Sequence, residues 1–313
     1  KLTREFAAEF GIEKFFDMQG IGHVVLAEQG LLSPGMFACG GDSHSTNGGA
    51  FACYMAGFGA IEMTGVVVTG EIWLQVPETI RVNWDGELQR GIVAKDVSLR
   101  LCRELGMDNA FRAIEFGGST VREMQMPERT VLTNMAAELG AETGLIDVDA
   151  VTVAALEAAG REVADNVLSW RSDTDAEYLA THNFDAATLV PQIAAPHRPS
   201  NSGRADDYCD VHIDQAYIGA CVGAKLTDLH MVAEVLNDRK VASGTRLLVA
   251  PASKQVMAMA AADGTLATIV GAGANLLPTG CGACAALGAG ILAEDEVCIS
   301  STNRNFQGRM GAN

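Results

Sequence analysis

The sequence predicts an α/β protein in which helices cover largely parallel sheets. Helical and strand patterns alternate along the chain and meet at glycine-rich junctions, which is typical of strands connected through helices. The 313 residues include 34 glycines but few aromatic residues, as expected where many tight turns join strands to helices. At this length we expect two or three domains.

The first segment extends to about residue 76. It begins with an amphipathic helix predicted at 2–10 and passes through a glycine-flanked polar run at 42–47. A helix of small residues is predicted at 50–60. The pattern then changes at Val76-Pro77, which we interpret as the start of a second domain.

The second segment opens with an alternating strand at 79–84, a turn at Asp85-Gly86 and a helix at 94–105. Residues 181–210 contain three prolines, several charges and a cluster of turn residues, so they predict a linker that crosses the surface.

The last segment again alternates between strands and helices. The pattern predicts, in order, a strand at 216–219, a helix at 226–236, a strand at 246–250, a helix at 253–262 and a strand at 297–299.

Composition excludes several classes of protein. Asp and Glu outnumber Lys and Arg by 39 to 22, which argues against a nucleic-acid partner, because phosphate binding depends on basic side chains. No apolar run approaches the length that spans a bilayer, and no signal-peptide pattern opens the chain. We therefore expect a soluble cytoplasmic protein that binds neither a membrane nor nucleic acid.

Three of the eight cysteines stand in similar glycine-flanked settings. Cys281 and Cys284 form a Cys-x-x-Cys pair, and Cys221 follows a short apolar strand earlier in the chain. Ligands bind at the carboxyl ends of strands in open α/β sheets, so both stretches can converge on one site. A structural zinc site normally has four protein ligands, so three thiolates would leave one position without a ligand. An iron-sulfur cluster held by three cysteines, in contrast, keeps one iron open to a substrate.

Other interpretations of the cysteines stay open at this point. A thioredoxin-like redox pair normally opens a helix near the N-terminus of a small domain, whereas Cys281 lies near the C-terminus. A disulfide framework is not expected in a long chain with 48% hydrophobic residues. We expect the other five cysteines to be small buried hydrophobic side chains, namely Cys39, Cys53, Cys102, Cys209 and Cys298.

The polar run contains candidate acid–base groups. A carboxylate such as Asp42 beside the imidazole of His44 can fix the tautomer of the ring. Asp42 or Ser43 can equally cap the helix that follows. His23 is a further candidate, with an ordinary core or surface histidine as the alternative.

Two arginines lie in a polar stretch after the last predicted strand, Arg304 and Arg309. Guanidinium groups bind carboxylates through paired hydrogen bonds. In an acidic chain, two such groups at a strand end indicate a substrate with more than one carboxylate. A solvated basic turn is the alternative interpretation.

Four stretches occur in the order found in the aconitase superfamily: GDSHSTNGG at 41–49, GAC at 219–221, GCGAC at 280–284 and STNRNFQGR at 301–309. The segments between them also resemble the family, so the resemblance covers essentially the whole chain. The chain is most similar to the large subunits of 3-isopropylmalate dehydratases and their homoaconitase-like relatives. In these, a separate small subunit carries the swivelling domain.

The resemblance implies a hydro-lyase with a 4Fe-4S cluster, which dehydrates a hydroxy di- or tricarboxylic acid and rehydrates the alkene. Isomerisation of 3-isopropylmalate and 2-isopropylmalate in leucine biosynthesis is the commonest role, and homocitrate, 2,3-dimethylmalate or methylmalate-type substrates are alternatives. The implied residues are the cluster ligands Cys221, Cys281 and Cys284, the catalytic groups His23, Asp42, His44 and Glu138, the substrate-binding residues Ser43, Arg304 and Arg309, and two asparagines beside the cluster, Asn134 and Asn303.

The resemblance further implies three α/β/α layered domains around the cluster, at approximately 1–76, 77–195 and 196–313, with the swivelling domain absent from the chain. The family's aspartate-histidine pair would precede Lys1, and the family has further chain after Asn313, so we expect an incomplete chain. The serine that acts as base in the family lies in the swivelling domain. A small subunit is therefore expected to complete the enzyme.

The chain departs from the family around the first cluster ligand. The family usually has Ser-Cys-Thr-Asn, whereas this chain has Ala220-Cys221-Val222-Gly223 and so lacks two hydroxyls and an amide. We expect an altered cluster potential or substrate fit. Because of this departure, a catalytically inactive or regulatory relative that binds RNA or a structural partner stays an alternative. The excess of acidic residues argues against RNA binding, and the intact cysteines and arginines argue against loss of catalysis.

Overall fold

The computed structural model describes residues 1–311. In this part of the chain the α-helices are α1 Leu2–Glu9, α2 Gly22–Glu28, α3 Ala60–Thr69, α4 Ala94–Glu104, α5 Ser119–Glu123, α6 Met126–Met135, α7 Ala150–Ala158, α8 Leu226–Leu236, α9 Lys254–Ala262 and α10 Thr265–Gly271. The strands are β1 Phe37–Gly40, β2 Tyr54–Gly57, β3 Glu78–Asp85, β4 Arg112–Gly117, β5 Thr143–Ile146, β6 Ala180–Asp185, β7 Gln192–Ala194, β8 Ser202–Arg204, β9 Gln215–Ile218, β10 Arg246–Val249, β11 Asn275–Leu276 and β12 Cys298–Ser300. Short 3₁₀ helices occupy Ser43–Phe51, Val167–Ser169, Ala186–Thr188, Ala205–Tyr208 and Gly282–Ala285.

The strands form three parallel sheets and one antiparallel hairpin. β1 pairs with β2, the second sheet has the order β5-β4-β3-β6, and the third has the order β11-β10-β9-β12. β7 and β8 form the hairpin. The parallel sheets with helices confirm the predicted α/β class, whereas the boundaries at 76/77 and 195/196 stay predictions. No helix within residues 1–311 is long and apolar enough to cross a membrane.

The second sheet holds the largest core of the described residues. Along β3 the side chains alternate, so that Ile80, Val82 and Trp84 are buried, as the period-2 pattern predicts. They pack against Val97 and Leu101 of α4, and each such side chain contributes about 1.5–3 kcal/mol through burial. The same core continues to Cys221 and Val222, and it therefore anchors the first candidate ligand.

The third sheet places the candidate ligands at one edge. Leu247 and Val249 of β10 pack against α8, α9 and α10, and these contacts fix the sheet. Because β9, β11 and β12 run parallel, the loops that follow them leave the same edge. These loops contain Cys221, then Cys281 and Cys284, then Asn303 and Arg304.

The helix predicted at 50–60 is wrong. This part of the chain completes the 3₁₀ helix Ser43–Phe51, forms β2 and only then enters α3 at Ala60. The physical reason is close packing, because a Cβ at Gly49 would collide with the carbonyl oxygen of Gly144. The small residues therefore allow close contact with β5, and they do not indicate an α-helix here.

The linker predicted at 181–210 is wrong for much of its length, because β6 occupies its first part and β7 and β8 form a hairpin in the rest. β6 is an edge strand that pairs with β3, and its residues alternate between half-buried and exposed positions, with polar side chains at the exposed ones. An edge strand with such residues is easily mistaken for a loop. The other predicted elements are observed within one or two residues, including α1, α4 and α8.

The prediction for the remaining cysteines holds for Cys53 and Cys102, which are buried. It is wrong for Cys209, which is exposed directly after the 3₁₀ helix Ala205–Tyr208, and Cys39 and Cys298 are only partly buried.

Candidate active site

The loops at the edge of the third sheet meet α2 and the polar run after β1 around a cavity of about 210 Å³. Nine of the twelve predicted site residues line it: His23, Asp42, Ser43, His44, Cys221, Cys281, Cys284, Asn303 and Arg309. Asn134 and Glu138 are hydrogen-bonded to lining residues, and Arg304 is connected through Glu138. The structure thus brings all twelve together.

Asp42 serves two purposes. Its Oδ1 accepts a hydrogen bond from the backbone N–H of His44 at 2.7 Å, so Asp42 caps the 3₁₀ helix as predicted. The same oxygen lies 3.5 Å from His44 Nδ1 and 3.9 Å from His23 Nδ1. Burial by itself raises the pKa of Asp42, but the hydrogen bonds from His44 and the nearby imidazoles outweigh it and hold the pKa well below its usual range.

A buried chain of polar groups joins His44, Glu138 and Arg304. Glu138 Oε1 accepts hydrogen bonds from His44 Nε2 at 2.8 Å and from Arg304 Nε at 2.7 Å. Burial raises the pKa of Glu138, yet these two partners outweigh it, and its pKa lies below the ordinary value. Glu138 is therefore a carboxylate that fixes both partners in orientation.

His23 lies in α2 and is almost fully buried. Its Nε2 is 3.4 Å from Asn134 Nδ2, and its buried Nδ1 has no hydrogen-bond partner among the described residues. Burial lowers the pKa of His23 to about 4, with Asp42 acting in the opposite direction. His23 is consequently neutral near pH 7.

The Cys221 sulfur faces two amide groups. Asn134 Nδ2 donates to Cys221 Sγ at 3.2 Å and Asn303 Nδ2 does so at 3.4 Å. Asn303 Nδ2 also lies 2.6 Å from Asn134 Oδ1, which links the two amides. Burial raises the pKa of the Cys221 thiol to about 12 and that of Cys281 to about 11, so an electropositive ligand is needed to keep these sulfurs as thiolates.

Among the described residues, no group of three or more His, Cys, Asp or Glu side chains is arranged to hold a single metal ion. A cubane iron-sulfur cluster needs a different arrangement, because its cysteines bind separate iron atoms instead of one shared ion. Three cysteines line one cavity here, and amide donors point at one of their sulfurs. This donor set fits such a cluster.

Arg309 gives the cavity a positive group. Its buried Nε has no hydrogen-bond partner within residues 1–311. Leaving such a donor unsatisfied costs about 1–3 kcal/mol, so the arrangement favours a bound anion that accepts from it.

Sequence reasoning missed Lys95. Its Nζ donates to the carbonyl oxygen of Thr302 at 2.7 Å and so supports the loop that carries Asn303 and Arg304. Burial lowers the pKa of Lys95 against the opposing charge of Glu138. Because Lys95 lies in the amphipathic helix α4, its sequence setting suggests an ordinary surface lysine.

Comparison with known proteins places the chain in a family. The aconitase family (aconitate hydratase) matches residues 1–208 and 201–313. The probable methanogen homoaconitase large subunit of Methanothermobacter thermautotrophicus is 40% identical over 314 residues, which cover 99% of this chain and 72% of that protein. The 3-isopropylmalate dehydratase large subunit 1 of Methanopyrus kandleri is 41% identical over 313 residues, which cover 99% of this chain and 74% of that protein.

Among solved structures, the holo-form of Thermococcus kodakaraensis aconitase X aligns with 80% of this chain and 58% of its own, at 12% identity and a TM-score of 0.47. The family match and the two relatives suffice: this chain belongs to the aconitase family and is an enzyme of the hydro-lyase class.

Proposed function

We propose that this chain is the large, cluster-bearing subunit of a dehydratase that interconverts 3-isopropylmalate and 2-isopropylmalate in leucine biosynthesis. One observation carries the proposal: three cysteines, a histidine–carboxylate network and a buried arginine nitrogen that has no hydrogen-bond partner in residues 1–311 surround a single cavity of about 210 Å³. The name of the Methanopyrus kandleri relative supports this substrate.

Cys221, Cys281 and Cys284 would hold the 4Fe-4S cluster. When bound, such a cluster supplies a Lewis-acidic iron toward a hydroxyl and a carboxylate. The amides of Asn134 and Asn303 would stabilise the Cys221 thiolate through the N–H groups that already face its sulfur.

His44 would hold the proton that leaves with the hydroxyl. Hydroxide is a poor leaving group, and a positioned proton donor lowers the barrier by forming water instead. Glu138 on Nε2 and Asp42 beside Nδ1 flank the His44 ring and fix its orientation. Neutral His23 would complete the wall of the cavity and orient the hydroxyl.

The two arginines would bind substrate carboxylates. Glu138 holds Arg304 through Nε, which leaves the terminal nitrogens of the guanidinium for a ligand. Arg309 adds an Nε that no described residue accepts from, and Ser43 adds a hydroxyl. Fixing the carboxylate next to the carbon that loses its proton stabilises the charge that develops there.

The proton on that carbon would leave to a base on another chain. The relatives are named large subunits, which implies a small subunit as partner. We propose that a small subunit with the swivelling domain contributes a serine base and closes the cavity. The residues described here then account for the departure of the hydroxyl.

A second candidate substrate is homocitrate, a tricarboxylic acid. The Methanothermobacter relative, named as a probable homoaconitase large subunit, is 40% identical, so the chain resembles both types to the same degree. The cavity lining includes charged and polar side chains, such as Asp42, Ser43 and Arg309, which would serve either acid.

The test is an assay of the complete enzyme. The chain is produced with a small subunit from the same source, iron and sulfide are reconstituted without oxygen, and alkene absorbance is followed with 3-isopropylmalate, homocitrate and 2,3-dimethylmalate. We expect the highest kcat/KM for 3-isopropylmalate. A preference for homocitrate supports the second candidate, and a cluster-loaded complex inactive on every acid contradicts the enzymatic proposal.

A further inference from the structure

The Cys-x-x-Cys turn rests on one buried phenol. Tyr217 lies in β9 and is 0% exposed. Its Oη accepts a hydrogen bond from the backbone N–H of Ala283 at 3.2 Å and donates to the carbonyl oxygen of Cys281 at 3.4 Å. One hydroxyl thus binds the backbone at the first cysteine and at the residue before the second.

The turn is shaped around this hydroxyl. Gly282 has a φ of +53°, and a Cβ at that position would collide with Tyr217 Oη. The N–H of Cys284 donates to the carbonyl oxygen of Cys281 at 3.2 Å and closes the turn. A side chain at Gly282 would therefore separate the phenol from the backbone it holds.

The phenol stays protonated under ordinary conditions. A tyrosine phenol ordinarily titrates only near pH 10, at about three units above neutrality. Tyr217 therefore remains a donor toward Cys281 as well as an acceptor from Ala283.

A similar hydroxyl supports the other ligand loop. Ser301 Oγ accepts from the N–H of Gly219 at 3.0 Å and lies 3.1 Å from the carbonyl oxygen of Gly223. The loop around Cys221 has no hydroxyl in Ala220, Val222 or Gly223. Tyr217 of β9 and Ser301, which directly follows β12, thus provide hydroxyls that bind the backbone of the two ligand loops.

We propose that Tyr217 is a positioning residue, which holds Cys281 and Cys284 at the separation required by the iron-sulfur cluster. It acts on the backbone between the two cysteines and touches no reacting atom. The inference rests on the proposed cluster function, but its effect on the turn exists in the cluster-free chain as well.

The test removes one oxygen atom. Tyr217→Phe keeps the ring and loses both hydrogen bonds. Tyr178→Phe is the matched control, because Tyr178 Oη donates to Glu115 at 3.2 Å in the second sheet, away from the cysteines. The first measurement is the iodoacetamide alkylation rate of Cys281 in the cluster-free chain, relative to exposed Cys209 in the same sample. The second is the decay of cluster absorbance under a chelator after anaerobic reconstitution.

We expect both rates to rise about fivefold in Tyr217→Phe, as the loss of roughly 1 kcal/mol implies. Tyr178→Phe should stay within about twofold of the parent chain in both. A merely structural role would lower the melting temperature without raising the alkylation of Cys281 over that of Cys209. Equal Cys281 rates in the parent chain and Tyr217→Phe overturn the proposal.

If Tyr217→Phe does not fold, amide hydrogen exchange of Ala283 in the unaltered chain tests whether the phenol holds this turn. Protection of this amide is expected, and exchange at the rate of an unstructured peptide overturns the proposal. A parent chain that takes up no iron contradicts the proposed function alone, because alkylation and exchange need no cluster.

Discussion

Glu138 is the buried carboxylate that connects the histidine and the arginine of the candidate site. It is buried, it accepts from His44 and Arg304, and these partners keep it ionised against the cost of burial. A buried carboxylate with two charge-assisted partners orders both of them. The histidine and the arginine are therefore fixed before any ligand arrives.

Arg309 gives the first prediction at this scale. Because its buried Nε is unpaired in the described chain, Arg309→Ala removes a donor that only a bound anion would satisfy. We expect KM for the hydroxy acid to rise about tenfold or more, while the melting temperature does not fall. Steady-state kinetics and thermal unfolding check this.

The control for Arg309 is Arg246→Ala, which removes an arginine paired with Glu296 on the surface, and KM should stay unchanged there. An unchanged KM in Arg309→Ala would refute its role in carboxylate binding.

His23 predicts a pH dependence of stability. Its folded pKa is about 4, whereas an unfolded histidine titrates near 6.5. Between these values the unfolded chain binds more protons, so the free energy of unfolding falls as the pH decreases through this window, by up to about 3 kcal/mol. The full contribution is present above the unfolded pKa.

Urea unfolding of the cluster-free chain at several pH values between 4 and 7 measures this slope. His23→Gln should flatten it in this window relative to the parent chain. Parallel pH profiles for the two chains would show that His23 titrates normally.

At the scale of elements, the 3₁₀ helix Ser43–Phe51 explains how the polar run reaches the cavity. Asp42 caps it, and Thr46 Oγ1 donates to the carbonyl oxygen of Asn134 at 3.1 Å. The close approach of Gly49 to Gly144 sets its position against β5. Packing therefore fixes the direction in which His44 points.

Gly49→Ala tests this packing. The added Cβ would collide with a backbone oxygen that cannot move aside, so we expect a loss of more than about 2 kcal/mol in the free energy of unfolding. Gly65→Ala is the matched control, since a Cβ there meets nothing within 4 Å in helix α3, and it should gain about 0.5–1 kcal/mol. Chemical unfolding of both variants measures the difference, and equal stability of the Gly49 variant would contradict the account.

Sequence patterns predicted the elements whose signal is local. The helix at 226–236 was readable from its apolar spacing, and the convergence of Cys221 with the Cys281 turn followed from parallel strands. The 3₁₀ helix was not predictable, because its small residues are required by tertiary contact with β5, which the local sequence does not show. The contact of Glu138 with Arg304 and the role of Lys95 join distant parts of the chain, which no local pattern encodes.

In the molecule as a whole, the stretch after β1 and the loops that follow β9, β11 and β12 meet at one cavity, and the chain carries a net charge of −17. Against this negative background, Arg309 in the cavity wall and Arg304, which is connected to the site through Glu138, are positive groups that would attract an anionic substrate. The proposed division of labour gives this chain the cluster and the hydroxyl chemistry, and gives the small subunit the base. The two contributions are experimentally separable, because the three proposed cluster ligands all lie in this chain.

We propose that Cys221, Cys281 and Cys284 together hold an iron-sulfur cluster with one open iron. The decisive experiment is anaerobic reconstitution of the isolated chain, followed by its visible spectrum and its iron and sulfide content. We predict about four irons and four sulfides in the parent chain and in Cys53→Ala, a buried cysteine elsewhere in the fold, and a loss of most of the cluster in each Cys→Ala variant of the three ligands. A parent chain without a cluster, or a cluster that survives removal of all three cysteines, would contradict the account.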